Sequence, residues 1–87
     1  MHAVVVKATV HDREAATRAL TEQVVPRASQ ARGFVAGYWV GLPNGNGVSV
    51  VVFDSQDSAR TMAEQVRPPG DFVTFDSVEV GEVVASA

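Results

Sequence analysis

The residues of this sequence that could take part in chemistry are few and widely separated. Lys7 is the only lysine, and it lies in a run of valines with Thr9 two residues later. Residues two apart in a strand share a face, so both side chains are predicted on the same side of a sheet. A lysine held between apolar surfaces is a candidate base or Schiff-base nucleophile, with Thr9 orienting the substrate. The alternative is a lysine whose stem packs on the sheet while its amine pairs with a carboxylate such as Glu79.

The histidines and Ser49 form no recognisable metal or hydrolytic site. His2 and His11 stand at the two ends of the first predicted strand, about 30 Å apart at the usual rise per residue. No carboxylates stand at ligand spacing, the chain has no cysteine, and Ser49 has no His or Asp in a triad pattern. Asp54, Asp57 and Arg60 cluster at the start of the second predicted helix. The two carboxylates suit the positive end of its dipole and Asp57 can pair with Arg60 three residues later, so the cluster indicates capping and not catalysis. We therefore predict no metal and no cofactor.

Composition indicates a small globular domain. The 87 residues carry a net charge of −3 without a basic cluster, so nucleic acid is not an expected partner. No apolar run approaches the ~18 residues of a membrane-spanning helix, and the N-terminus lacks the pattern of a signal peptide. We therefore expect a cytoplasmic protein that does not contact a membrane. A domain this small buries only roughly 60–65% of its unfolded surface, a deficit that a second subunit would relieve.

Hydrophobic periodicity and turn residues divide the chain into four strands and two helices. Apolar residues at even positions 4 to 10 indicate a strand, and a Pro-Asn-Gly-rich segment between two valine-rich runs indicates a β-hairpin. Caps at Asp12 and Ser55 open the two helices, and Pro26 is expected to kink or break the first. Gly81 indicates a bend or bulge in the last strand. The predicted strands are 3–10, 34–40, 48–53 and 72–84, and the predicted helices are 13–31 and 56–66.

The order strand, helix, strand, strand, helix, strand predicts a ferredoxin-like βαββαβ fold. We expect one α+β domain over residues 1–87, with a four-stranded antiparallel sheet and both helices on one face. The even positions of the first strand, such as Val4 and Val6, are expected to face the helices, and Tyr38 is assigned to the same side.

The other face of this sheet is predicted to be apolar and uncovered, which soluble proteins seldom tolerate. We therefore predict a homodimer that pairs through this face, with the long last strand reaching the partner. Trp39 and Phe53 are candidates for an aromatic ligand pocket between the two sheets, and the alternative is packing of the dimer interface. The residues assigned to this face are Val5, Lys7, Thr9, Val35, Trp39, Val51 and Phe53, and those assigned to ligand binding are Trp39, Phe53, Val51 and Val5.

Three segments resemble those of the dimeric α+β-barrel superfamily, near the antibiotic-biosynthesis-monooxygenase group and its small actinobacterial members. They are Val25-Pro26-Arg27 late in the first helix, Arg32-Gly33-Phe34-Val35-Ala36-Gly37-Tyr38-Trp39, and Val51-Val52-Phe53-Asp54-Ser55 leading into Asp57-Ser58-Ala59-Arg60.

The resemblance implies a homodimer that binds a small apolar or aromatic molecule and oxidises it without a cofactor. The His that many relatives have late in the second helix is absent, since that region reads Met62-Ala63-Glu64-Gln65, and there is no Asn/Trp/His haem constellation. The alternative is a non-catalytic dimerisation or accessory domain whose barrel is filled by its own side chains.

Overall fold

The computed structural model describes all 87 residues as one antiparallel sheet with helices on one face. The spatial order of the strands is β2-β3-β1-β4, and the predicted α+β, ferredoxin-like fold is confirmed. None of the helices combines the length and hydropathy needed to cross a membrane. The strands are β1 (His2–Val10), β2 (Phe34–Gly41), β3 (Asn46–Phe53) and β4 (Val73–Glu82), and the helical segments are α1 (Arg13–Ala19), a π turn (Leu20–Val24), α2 (Val25–Ser29) and α3 (Gln56–Gln65).

The predicted hairpin joins β2 to β3. Gly45 has a φ of +76°, a backbone conformation that glycine adopts freely and that residues with a side chain rarely adopt. The Leu42 N–H donates to the Asn46 carbonyl at 2.8 Å and closes the loop. The Gly45 carbonyl in turn accepts from the Val10 N–H at 2.7 Å, so the hairpin tip is tied to the end of β1.

The first helical unit runs without a gap through α1, the π turn and α2. Asp12 caps it as predicted, its carboxylate accepting from the Ala15 N–H at 3.1 Å. In the π turn the Val25 N–H donates to the Leu20 carbonyl, five residues back. Pro26 follows at once, in the first turn of α2. The chain therefore meets the proline with a change of helix type rather than with an interruption.

The second helix, α3, has the predicted cap and buries one side against the sheet. The Ser55 hydroxyl accepts from the Ser58 N–H at 3.2 Å. Ala59 is fully buried, and Met62 and Ala63 pack beside it against the sheet. The helix lies against β1, β3 and β4.

The irregularity of β4 is not where the sequence analysis placed it. Gly81 pairs regularly with Ala3, so the predicted bulge at Gly81 is wrong. The register with β1 shifts instead next to Ala8, which leaves Asp76 without a partner.

The helix-covered side of the sheet holds the core, and the register decides which residues lie there. Directly opposed residues of an antiparallel pair share a face, and Val51 opposes Val4. Val51 is 7% exposed and Phe53 is fully buried, while Trp39 packs against the same cluster. The prediction that Trp39, Val51 and Phe53 lie on the uncovered face is therefore wrong.

The uncovered side, here called the open face, carries a different set of residues from the hairpin. Tyr38, assigned to the helix side from the sequence, opposes Val50 on the open face and is 66% exposed. Val35 has no partner, because the β2–β3 register shifts there. This shift exchanges the sides of the sheet on which the later residues of β2 lie. From β1, β2 and β3 the open face comprises Ala3, Val5, Lys7, Thr9, Ala36, Tyr38, Val40, Val48, Val50 and Val52, and β4 adds Thr74, Ser77, Glu79 and Gly81.

Candidate functional site

A cavity of about 250 Å³ lies between the helix-covered side of the sheet and the helices. Of the 23 residues that line it, 16 are hydrophobic, which makes it an apolar space. The sheet contributes the floor of the cavity and the helices cover part of it, so the cavity stays partly open to solvent. Fourteen of the hydrophobic residues are Val4, Val6, Ala8, Val10, Ala16, Leu20, Val24, Ala28, Trp39, Val51, Met62, Val66, Val73 and Phe75. The other two, Val40 and Val48, border the cavity from strand positions whose side chains belong to the open face.

The cavity exists because small residues face one another across the two layers. Ala8 and Gly47 line it from neighbouring strands, and Ala16 and Ala28 line it from the first helical unit. In addition, the backbone of α3 approaches three strands closely, whereas the backbone of α1 lies farther from the sheet. Protein interiors are normally packed as densely as organic crystals. A space of this size is therefore a specific property of this layer.

The Trp39 indole forms one wall of the cavity, and Gly37 sets its position. A Cβ at Gly37 would lie 2.8 Å from Trp39 Cη2, closer than side chains tolerate. The ring folds back over the glycine and thereby reaches the helix-covered side. Trp39 is also the only tryptophan of the chain, which makes its fluorescence a direct reporter of the cavity.

Ser49 places a hydroxyl in the sheet wall of the cavity. It opposes Val6 of β1 and Trp39 of β2, so all three lie on the helix-covered side. The other hydroxyl in the lining is that of Thr17 on α1. Ser49, Thr17 and Trp39 are thus the lining residues that carry neutral polar side-chain groups.

Two arginines complete the lining, and neither contacts a carboxylate. Arg13 Nη2 donates to the Leu42 carbonyl at 2.7 Å. Its guanidinium fits because Gly41 has no side chain, since a Cβ there would collide with Arg13 Nη1. Arg67 Nη1 donates to the carbonyls of Glu64 at 3.0 Å and Val66 at 2.7 Å, at the end of α3. Both guanidinium groups are thus held by backbone oxygens.

The structure separates the residues that the sequence analysis assigned to ligand binding. Trp39 and Val51 line the cavity together. Phe53 lies beneath it in the core, edge-on to Phe34 with ring centroids 6.4 Å apart. Val5 lies on the open face. A ligand-binding role for these residues stays a prediction.

The two candidate catalytic residues lie on the opposite side of the sheet from the cavity. Lys7 opposes Val48 and Ser77 on the open face and is exposed. Thr9 Oγ1 donates to Asp76 Oδ2 at 2.8 Å. Lys7 forms no ion pair with Glu79, because the one salt bridge of the chain joins Arg18 to Glu14 at 3.5 Å. The catalytic role of Lys7 and Thr9 stays a prediction.

The cavity-lining groups Arg13, Ser49 and Arg67 were missed as functional candidates. Each of the two arginines stands at a junction between a strand and a helix. In a βαββαβ chain the C-terminal end of β1 and the N-terminal end of β4 lie next to each other at one end of the sheet. That placement was available from the element order, whereas the inward orientation of Ser49 depended on the register of β3.

No group of three or more His, Cys, Asp or Glu residues lies close enough to hold a metal ion. His11 Nε2 lies 2.8 Å from Thr74 Oγ1 and forms a side-chain hydrogen bond there. Every buried side-chain nitrogen and oxygen of the chain has a partner.

No protein-family model matches the chain, and no curated protein matches it either. The class that can be stated is therefore structural: an α+β, ferredoxin-like domain with an apolar cavity between its sheet and its helices.

Proposed function

We propose that this protein binds a small apolar or aromatic molecule in the cavity between its sheet and its helices. The observation that carries the proposal is the cavity itself, at about 250 Å³ with a mostly hydrophobic lining. An apolar cavity of about 150 Å³ is enough to hold benzene, so this one has room for a molecule of one or two rings. The polar groups of Ser49, Thr17 and Trp39 orient that molecule, as a few placed polar groups do in most ligand sites.

The similarity to the antibiotic-biosynthesis-monooxygenase group adds a second element to the proposal, oxidation of the bound molecule by O₂ without a cofactor. The electrons for that step come from the ligand, which must therefore be an electron-rich compound such as a polyphenol. Oxygen uptake in the presence of hydroquinones tests this element separately from binding. Binding without oxygen uptake would leave a carrier or sensing role.

We further propose that two copies pair through the open face. The chain exposes 5717 Å², against roughly 4,900 Å² for a folded monomer of its mass. The difference is close to the ~800 Å² that one partner buries in a standard interface. Tyr38 and Val40 of the open face are about half exposed or more, and they supply the apolar centre that such an interface needs.

Sedimentation equilibrium at micromolar concentration tests the pairing. We expect twice the chain mass, and we expect Tyr38→Glu to yield the monomer because a charge in the middle of the interface loses its water. Arg60→Glu, on the exposed side of α3, is the control and is expected to remain dimeric. A monomeric mass for the unmodified chain would contradict the proposal.

Fluorescence of Trp39 tests the binding. Titration with a panel of naphthols and naphthoquinones is expected to give saturable quenching with at least one compound. Ala16→Leu adds a side chain inside the cavity and is expected to weaken that binding at least tenfold. Ala15→Leu is the matched control, because Ala15 is the neighbouring residue and does not line the cavity. No saturable response across the panel would favour the non-catalytic dimerisation domain instead.

A further inference from the structure

We infer that the ligand of the cavity is an apolar monoanion, such as an aromatic carboxylate, with its acid group at the end of the cavity formed by Arg13 and Arg67. This inference rests on the proposed binding function and narrows it to one chemical class.

The two arginines reach the cavity at the same end. Arg13 follows β1, and Arg67 stands in the segment that leads into β4. Val10, the last residue of β1, pairs with Val73, the first residue of β4. The segment that leaves β1 and the segment that enters β4 therefore lie at the same end of the sheet. Arg13 and Arg67 are both among the residues that line the cavity, and both are also exposed to solvent, so they lie at its mouth. We call this the arginine end.

The cavity contains positive charge without a compensating negative charge. No Asp or Glu is among the residues that line the cavity. The contact of Arg67 with Glu64 is to the backbone carbonyl, which accepts from Arg67 Nη1. Neither Arg13 nor Arg67 forms a salt bridge. The protein as a whole has a net charge of −3. Two arginines without an acidic partner beside an apolar space therefore differ in sign from the charge of the chain.

Both guanidinium groups retain donors for a ligand. A guanidinium has five N–H donors in a planar fork. Arg13 uses Nη2 for the Leu42 carbonyl, and Arg67 uses Nη1 for two carbonyls. Those backbone bonds hold each fork in place, and the other nitrogens stay open. A carboxylate is the group that this geometry accepts in pairs of parallel hydrogen bonds.

The remainder of the lining selects the rest of the molecule. Beyond the arginine end the walls are the valines of β1 and β3, the Trp39 ring and the apolar side of the helices. A second charged group would be desolvated there without a partner, which is costly. The site therefore fits one acid group at one end and an apolar body of one or two rings.

Isothermal titration calorimetry with 2-naphthoate and 2-naphthamide, at pH 7 and low ionic strength, tests the inference on the unmodified protein. The two probes have nearly the same shape and differ in charge. We expect naphthoate to bind at least tenfold more tightly and to lose that advantage as salt is raised. Equal affinity, or tighter binding of naphthamide, would overturn the inference and leave the proposed function standing. If neither probe binds and the naphthols and naphthoquinones also fail, the proposed function fails and the inference fails with it.

Arg13→Gln and Arg67→Gln locate the anion within the cavity. Each is expected to weaken naphthoate at least fivefold and to leave naphthamide within twofold. Arg18→Gln on α1 and Arg60→Gln on α3 are the matched controls, since both are exposed arginines that do not line the cavity. Equal losses in the control variants would overturn the assignment to the arginine end. Thermal unfolding of each variant identifies any that fails to fold, and the comparison of the two probes on the unmodified protein decides the inference in that case.

Discussion

The first helical unit and α3 cover the same sheet in different ways. In α3, Ala59 is fully buried and the helix rests on three strands. In the first helical unit, Ala16 is also buried, at 6% exposed, yet it faces the cavity. Both residues are alanines removed from solvent. One is in contact with the core, and the other borders open space.

This difference shows that burial and packing are separate properties. The side of the sheet under α3 uses large residues such as Phe53, and the side under α1 uses small ones such as Ala8 and Gly47. Small residues on both layers leave volume unfilled unless the backbones approach, and α1 does not approach. One half of the sheet is thereby densely packed, and the other half borders unfilled volume.

The largest expected effect comes from removing the core on the α3 side. Phe53→Ala deletes a fully buried ring and is expected to lower the free energy of unfolding by about 3–5 kcal/mol, measured by urea denaturation. Phe34→Ala, which removes the half-buried ring packed edge-on against it, is expected to cost less. Equal losses would mean that the two rings do not differ in packing as the structure indicates.

An intermediate effect is expected from the two alanines. Ala59→Leu forces extra carbon atoms into a filled contact and is expected to cost about 1–3 kcal/mol. Ala16→Leu places the same atoms into the cavity and is expected to be neutral or stabilising, because it fills unoccupied volume. Chemical denaturation of both variants measures the contrast. If Ala16→Leu destabilises as much as Ala59→Leu, the cavity does not exist in solution.

The smallest effect is expected at the caps. Ser55→Ala removes the acceptor for the Ser58 N–H and is expected to cost about 1 kcal/mol in global stability. Asp12→Ala is expected to cost less than Ser55→Ala, because α1 is held loosely and can fray without unfolding the rest. Hydrogen exchange should then be faster at the amides of α1 in Asp12→Ala than at those of α3 in Ser55→Ala. The reverse order would contradict the looser attachment of α1.

The fold followed from the sequence because its signals are local. The alternation in β1, the caps at Asp12 and Ser55, and the hairpin loop around Gly45 are each contained in a few consecutive residues. The faces of β2 and β3 did not follow, because β3 carries valines on both sides. Val50 and Val51 are equally apolar, so only pairing with β1 decides which faces the helices. The unpaired Val35 then reversed the expected alternation of β2.

The cavity had no local signal at all. It depends on alanines and glycines from elements far apart in sequence that meet only in the folded chain. The arginine end is similar, since Arg13 and Arg67 are 54 positions apart in the printed sequence. Sequence patterns predict which residues are removed from water, and the distance between the two layers decides whether volume remains between them.

The π turn of Leu20–Val24 has a consequence for how the first helical unit keeps one side toward the cavity. Ala16, Leu20, Val24 and Ala28 all line the cavity at a constant spacing of four residues. In a regular α-helix that spacing rotates by about 40° at each step, and by about 120° over the three steps. A wider turn in the middle of the run takes back part of this rotation. The extra residue therefore acts as a phase correction that lets one stripe of side chains follow the length of the sheet.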